Sequence, residues 1–288
     1  LNRCIPPRHK PDFGARLVTR RRWAAIPIRV SVVGAALLAG TASLSAADLD
    51  QASVEAAASS HKISFSANVD LTTDYIFRGI SQTDEGPAIQ GGFELAYNIL
   101  YLGVWGSNVD FGTSSTSFGN SRNLANIEID WYGGIKPVLK GVSFDIGVYY
   151  YTYPDSLGIA DLDYMEVKTG ASHTFFEKLT LGVTNWWTPN NSGDTGANDV
   201  LEFSGAYALK KLWIFSPTVS ALIGRQWGDE SQGGSDYTYW NAGVTFGFHE
   251  KPVYSFDVRY WDTNLPGCSN ATIFQCDQRV IGTFQALF

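Results

Sequence analysis

The sequence predicts an all-β protein: a transmembrane antiparallel β-barrel of about 12 strands, and three observations carry that reading. Twelve stretches alternate apolar with polar residues, the links between them are short and long in turn, and the last stretch runs to an aromatic residue, Phe288. A tilted strand crosses a bilayer in about ten residues, and only its lipid side must be apolar. The stretch 142–152 shows the pattern. Val142, Phe144, Ile146, Val148 and Tyr150 fall on one face, and Ser143, Asp145, Gly147, Tyr149 and Tyr151 on the other. A charge between Phe144 and Ile146 suits a strand with one wet side.

The chain begins with a segment unlike the rest. Residues 1–29 hold eight Lys or Arg against the single acid Asp12; an apolar run follows from Val30 to about Leu44, then Ser45, Ala46 and Ala47. That order predicts a secretory signal peptide over 1–47, cleaved after Ala47. A membrane anchor is the rival, but the run is shorter than the roughly 20 residues of a spanning helix. The basic region is long and Leu1 is an unusual initiator, so the true start is expected downstream. Residues 48–61, rich in Ala, Ser and acids, read as a periplasmic leader, and 62–288 as the barrel.

From Asp48 onward 13 Lys and Arg stand against 27 Asp and Glu, a net charge of −14. Nucleic acid is therefore excluded as a partner, since its binding relies on cationic neutralisation of phosphates. Beyond residue 47 no apolar run has the length of a spanning helix, so strands must do the spanning.

The strands are expected at 62–77, 87–97, 101–110, 124–135, 142–153, 162–173, 179–188, 200–209, 212–226, 237–248, 253–262 and 278–288. Links near 98–100, 136–141, 174–178, 210–211 and 249–252 are short. Those near 79–86, 111–123, 154–161, 189–199, 227–236 and 263–277 are longer and rich in Gly, Ser, Asn and Asp. An even strand number with short periplasmic turns and long extracellular loops is the pattern of bacterial outer-membrane barrels. Aromatic residues near the two sets of links, among them Tyr97, Tyr101, Trp131, Trp213 and Phe288 at one end and Tyr75, Tyr153, Trp187, Trp227, Tyr237, Tyr239 and Trp261 at the other, are expected as interfacial girdles. A secreted β-sandwich alternates too; link parity and the final Phe288 favour the membrane.

The polar face of each strand, taken as inward, holds Asp70, Asp74, Glu94, Glu128, Asp130, Asp145, Glu166, Lys168, Glu202, Asp257 and Arg259. Rings of acids favour cations in a pore, and the alternative is mutual neutralisation with Lys168, Arg259, Arg78, Arg225 and Arg279. Gly147, Gly182, Gly243 and Gly247 favour open space in the lumen, whereas Tyr149, Tyr151 and Trp261 narrow it. Twelve strands lie between a side-chain-filled barrel and an aqueous channel.

Cys268 and Cys276 share one polar link, with seven residues between them. In an oxidising compartment they are a disulfide candidate; a metal site would need more ligands than the neighbouring Asp277 supplies. A hydrolase would need a nucleophile and a base, most often His. His61, His173 and His249 fall in the leader and at two short turns, so the chain reads as a non-enzyme without a cofactor.

The run Asp74-Tyr75-Ile76-Phe77-Arg78-Gly79-Ile80-Ser81-Gln82 is followed by Pro87-Ala88-Ile89-Gln90-Gly91-Gly92 and Gly103-Val104-Trp105-Gly106-Ser107-Asn108-Val109. Glu128-Ile129-Asp130, Tyr132-Gly133-Gly134, Gly147, Tyr150, Tyr153-Pro154, Tyr164, Glu166 and Gly170 complete a pattern that resembles the Gcw_chp family, also called TorF-family porins. The resemblance spans the chain beyond the signal segment and implies an outer-membrane barrel with an inferred porin label. The two cysteines are not part of it. Read from the residues, Arg78 and Gly79 stand where strand one meets its outer loop, with Asp74 just below. A charged pair there, with Gly permitting a tight bend, would fix the loop over the pore mouth; solute contact and plain solvation are the alternatives.

The expected function is a Gram-negative outer-membrane channel for passive diffusion of small hydrophilic solutes or ions. A barrel with a plugged lumen that is structural or binds at the surface through acidic loops around Asp194, Asp199, Asp229, Glu230 and Asp236 is the other reading. Expected partners are outer-membrane lipid, lipopolysaccharide, small solutes, and the barrel-assembly machinery through the strand ending at Phe288.

Overall fold

The computed structural model describes residues 63–115, 121–156, 161–249, 252–268 and 275–288. The expected signal peptide and leader, with His61, lie outside the described residues. Twelve long strands form one sheet: β1 (Ile63–Thr72), β2 (Ala88–Tyr97), β3 (Leu100–Asn108), β4 (Ile127–Ile135), β5 (Val142–Thr152), β6 (Tyr164–Phe175), β7 (Leu179–Thr188), β8 (Asn198–Ala208), β9 (Ser216–Gly228), β10 (Tyr237–Phe248), β11 (Val253–Thr263) and β12 (Arg279–Leu287). Each is antiparallel to the next, and β12 returns to β1 with Asn68 opposite Leu287 and Thr72 opposite Thr283. The sheet is therefore a closed barrel. Closure matters because an open edge would leave N–H and C=O groups without partners in a solvent that offers none.

The polarity of the wall is inverted relative to a soluble protein. On β1, Phe65, Val69 and Leu71 are exposed while Asp70 and Thr72 are buried; on β3, Leu100 and Leu102 are exposed while Tyr101 and Ser107 are buried. The register keeps such residues in phase across strands, since Val69 lies opposite Gly91 and Leu71 opposite Ile89. A one-residue slip would turn every apolar side chain inward, so the alternation fixes the register. The result is a transmembrane barrel with a polar and aromatic interior.

Most strand bounds agree with expectation to within a few residues; the largest departure is the first. β1 stops at Thr72 rather than continuing to 77, because after Thr73, still bonded to Gly282 on β12, the chain leaves the wall and folds inward. The aromatic girdle needs a second correction. Trp131, Trp187, Trp213, Trp227, Tyr97 and Phe288 face outward, but Tyr75, Tyr101, Tyr153, Tyr237, Tyr239 and Trp261 are buried inside. Proximity to a strand end does not decide a residue's face; parity does, and Tyr101 between Leu100 and Leu102 can only point inward.

Candidate functional site

The segment after β1 forms a small hairpin in which Ile76–Phe77 pairs with Ile80–Ser81. Its two-residue tip is Arg78-Gly79, with φ of +49° and +82°. Positive φ at both central positions is the requirement of a type I′ turn, and glycine meets it without steric cost. Gly79 also sits against β10 and β11, where an added Cβ would lie 2.9 Å from Thr263 Cβ and 3.0 Å from Tyr239 Cβ. The hairpin therefore folds into the lumen and packs its tip on the β10–β11 wall.

Its base is held by Asp74. Ser81 Oγ and Thr83 Oγ1 donate to Asp74 Oδ1 at 2.7 and 2.9 Å, and Arg279 on β12 donates to Oδ2 at 2.7 Å. At the tip, Arg78 donates through both terminal nitrogens to both oxygens of Glu166 on β6, at 2.8 and 2.7 Å. The guanidinium lies 4.6 Å from the Phe77 ring centre and 5.8 Å from that of Trp186. Such planar pairing and stacking are what Arg supplies and Lys does not. The expectation that Arg78 pairs near the mouth with Asp74 is thus corrected. Both are charged anchors of one inward hairpin, but each has a different partner.

Of the eleven residues expected on the lumen face, Asp70, Asp74, Glu94, Glu128, Asp130, Glu166, Lys168 and Arg259 are buried and Asp145, Glu202 and Asp257 are partly buried, and most are paired. Besides Arg78–Glu166, the inner wall carries Lys136–Glu94 at 3.2 Å, Lys168–Asp145 at 2.8 Å and Arg259–Asp257 at 2.9 Å. Arg259 also donates to Asn241 and Ser220, and Tyr101 donates to Asp145 at 2.7 Å. Glu202 accepts from Trp186 and Tyr239, and Asp70 from Asn68. Glu128 and Asp130 are buried two residues apart on β4. Lys136 was missed as a lumen residue because it follows the end of β4. It keeps the parity of Asp130, Tyr132 and Gly134, and that was the available signal. Arg225, a candidate for neutralising acids, instead pairs with Asp236 at 3.2 Å in a half-exposed setting.

Aromatic rings fill much of the remaining interior. Tyr132 stacks on Tyr149 at 5.1 Å and Tyr151 on Tyr164 at 4.5 Å, while Tyr75 from the hairpin meets Trp105 edge-on at 5.4 Å. Three of the four glycines expected to leave space, Gly147, Gly182 and Gly243, instead sit against neighbouring groups. A Cβ on Gly147 would collide with the Tyr101 hydroxyl, one on Gly182 with Ser204, and one on Gly243 with Arg259 and its backbone neighbour Val258. Tyr151 and Glu166 have no solvent exposure and Arg259 has 2%. Buried side chains thus pack across the lumen around the hairpin.

At the long-loop end the hairpin forms the floor of a cavity of about 450 Å³, walled by Phe77, Phe111, Tyr153, Tyr164 and Tyr237 among others. Asn198, the first residue of β8, faces it. Near the rim, Asp155 accepts from Asn126 Nδ2 at 2.7 Å and from the Asn126 and Ile127 backbone N–H groups at 3.1 and 3.3 Å. Slight burial pushes its pKa up, but these donors outweigh it and hold the carboxyl below its ordinary range. Cys268 and Cys276 are joined by a disulfide with Cα atoms 5.0 Å apart, and the adjacent Gln275 carbonyl accepts from Ser81 N–H of the hairpin at 2.8 Å. His249 sits at a short turn, bonded to the Pro252 carbonyl, whereas His173, expected at a turn, lies in the turn-proximal part of β6 opposite Leu181 and is bonded to the Gly141 carbonyl. Among the described residues no group of three or more His, Cys, Asp or Glu is arranged to hold a metal.

The architecture defines a transmembrane barrel with a polar lumen and an inward constriction. Residues 55–288 match the family described as "Bacterial protein of unknown function (Gcw_chp)", and the chain belongs to it. No curated protein matches the sequence significantly. Among solved structures, NanC porin is similar with a TM-score of 0.46 at 9% identity, covering 78% of this chain and 99% of that one. LpxR from Salmonella typhimurium gives 0.43 at 9%, covering 77% and 99%, and OmpF of Salmonella typhi, in complex with daunomycin, 0.39 at 10%, covering 79% and 98%.

Proposed function

We propose that the protein is an outer-membrane channel for small hydrophilic solutes or ions, closed in this conformation by the Ile76–Ser81 hairpin. The observation that supports it is the inner wall itself. Every strand presents polar or charged side chains to the lumen, and the interruption at the hairpin is one short segment tied by ion pairs rather than a separate packed domain. Gating segments of this kind move on microsecond to millisecond timescales. Acids still outnumber the inward cations, so the open path prefers cations weakly. On this reading the exterior meets lipid and lipopolysaccharide, the long loops face outward, and the assembly machinery engages β12 at Phe288.

A second reading, a barrel that is permanently plugged and structural, is favoured by the stacked tyrosines beside the hairpin. Planar-bilayer recording separates the two. The refolded chain is compared with a variant in which Ile76–Ser81 is replaced by two glycines. The channel reading expects a small, intermittent conductance that becomes large and steady in the variant, with a reversal potential of cationic sign across a salt gradient. A variant that folds yet stays silent would establish the plug.

A further inference from the structure

We infer that the cavity above the hairpin is a binding site for an uncharged ring compound that carries a neighbouring hydrogen-bond donor and acceptor, the chemistry of a carboxamide. The inference goes beyond the channel reading and needs no conduction.

Three observations lead to it. The first is size and lining: about 450 Å³, walled chiefly by aromatic and aliphatic side chains such as Phe77, Phe111, Tyr153 and Tyr164. Small-molecule sites are typically clefts of about 300–1,000 Å³, mostly apolar with a few placed polar groups.

The second is charge. No Asp or Glu stands among the described lining residues, and the one cation, Arg78, already gives both terminal nitrogens to Glu166. Neither an anion nor a cation finds an unpaired counter-charge in the cavity. A neutral guest fits.

The third is Asn198. It is 3% exposed, lines the cavity, and neither its Nδ2 nor its Oδ1 has a hydrogen-bond partner. A buried carboxamide has two donors and an acceptor to satisfy, and leaving them unmet is costly. Its backbone is committed to the ladder, with Gly228 on one side and Thr188 on the other. The side chain therefore stays on the inward face of β8 at the cavity wall, its two amide atoms just beneath the surface, and a turn of the side chain presents them to a guest. A guest with a donor beside an acceptor satisfies both atoms at once while its ring packs on the aromatic wall.

The test is calorimetric titration of the refolded full chain in micelles, corrected for partition into empty micelles. The probes are indole-3-acetamide, its charged analogue indole-3-acetate, its apolar analogue 3-ethylindole, and methyl glucoside. Saturable one-site binding of the amide is expected, at least about tenfold tighter than either indole analogue. Asn198→Leu, close in volume, should bring the amide and 3-ethylindole within about twofold of each other. Four results would overturn the inference: no saturable binding of the amide, equal binding of amide and 3-ethylindole by the natural chain, tighter binding of methyl glucoside, or an amide preference that survives Asn198→Leu. If the variant does not fold, the probe series on the natural chain decides alone. Because binding is read without current, a silent channel and an empty cavity are separate failures.

Discussion

Arg78 and Glu166 meet across the lumen from positions 88 residues apart, in a two-point ion pair with side chains 4% and 0% exposed. Removing one member of such a pair strands the other charge, which typically costs about 3–5 kcal/mol. Arg78→Ala should therefore lower stability by about that much, read as the urea midpoint of strand circular dichroism in detergent. Adding Glu166→Gln to Arg78→Ala should recover a large part of it. If the double variant is no more stable than the single, the pair is not the anchor described.

Gly79→Ala attacks the hairpin tip without touching charge. The position has φ +82° and abuts Thr263 and Tyr239, and an L residue in that conformation costs roughly 1–2 kcal/mol before any clash. The barrel ladder does not include this residue, so strand content should be unchanged while conductance rises. Equal conductance in the two proteins would count against a hairpin gate.

Asp155 offers a pH test outside the membrane. Its folded carboxyl is held below the ordinary value of about 3.9, so its contribution is complete above the unfolded pKa and is lost as pH falls through the folded one. The amide resonances of Asn126 and Ile127 should titrate together below about pH 3.9 and lose that transition in Asp155→Asn. A transition above that value would reverse the assigned sign.

The disulfide supports the hairpin through Gln275. Under non-reducing conditions Cys268 and Cys276 should resist alkylation, and reduction should expose both to iodoacetamide by mass. Cys268→Ser with Cys276→Ser should leave strand content intact and raise channel opening. Alkylation without reductant would remove the crosslink from the account.

What was legible in the sequence follows from how local each signal is. Alternation is a two-residue property, so Ile146, Val148 and Asp145 declare their faces from their neighbours alone, and the twelve strands follow. The motif from Asp74 to Gln82 was visible as a cluster, but its direction depends on Glu166, Thr263 and Arg279, none of which lies near it in the chain. It therefore read as the start of an outer loop. Lys136 was lost for a smaller reason: the parity of β4 continues past its last ladder bond. Gly147 and Gly243 were read as vacancy because a missing side chain does not reveal which neighbour occupies its place.

The hairpin segment leaves the wall after Thr73 and rejoins it at Ala88, so it is leashed at both ends to adjacent strands. A stopper of that kind never drifts away from its seat. On the proposed gating, reclosure would be unimolecular, and the local abundance of Arg78 around Glu166 would be set by the length of the leash rather than by the amount of protein in the membrane. Opening and shutting should then follow the same kinetics in a sparse bilayer as in a crowded one.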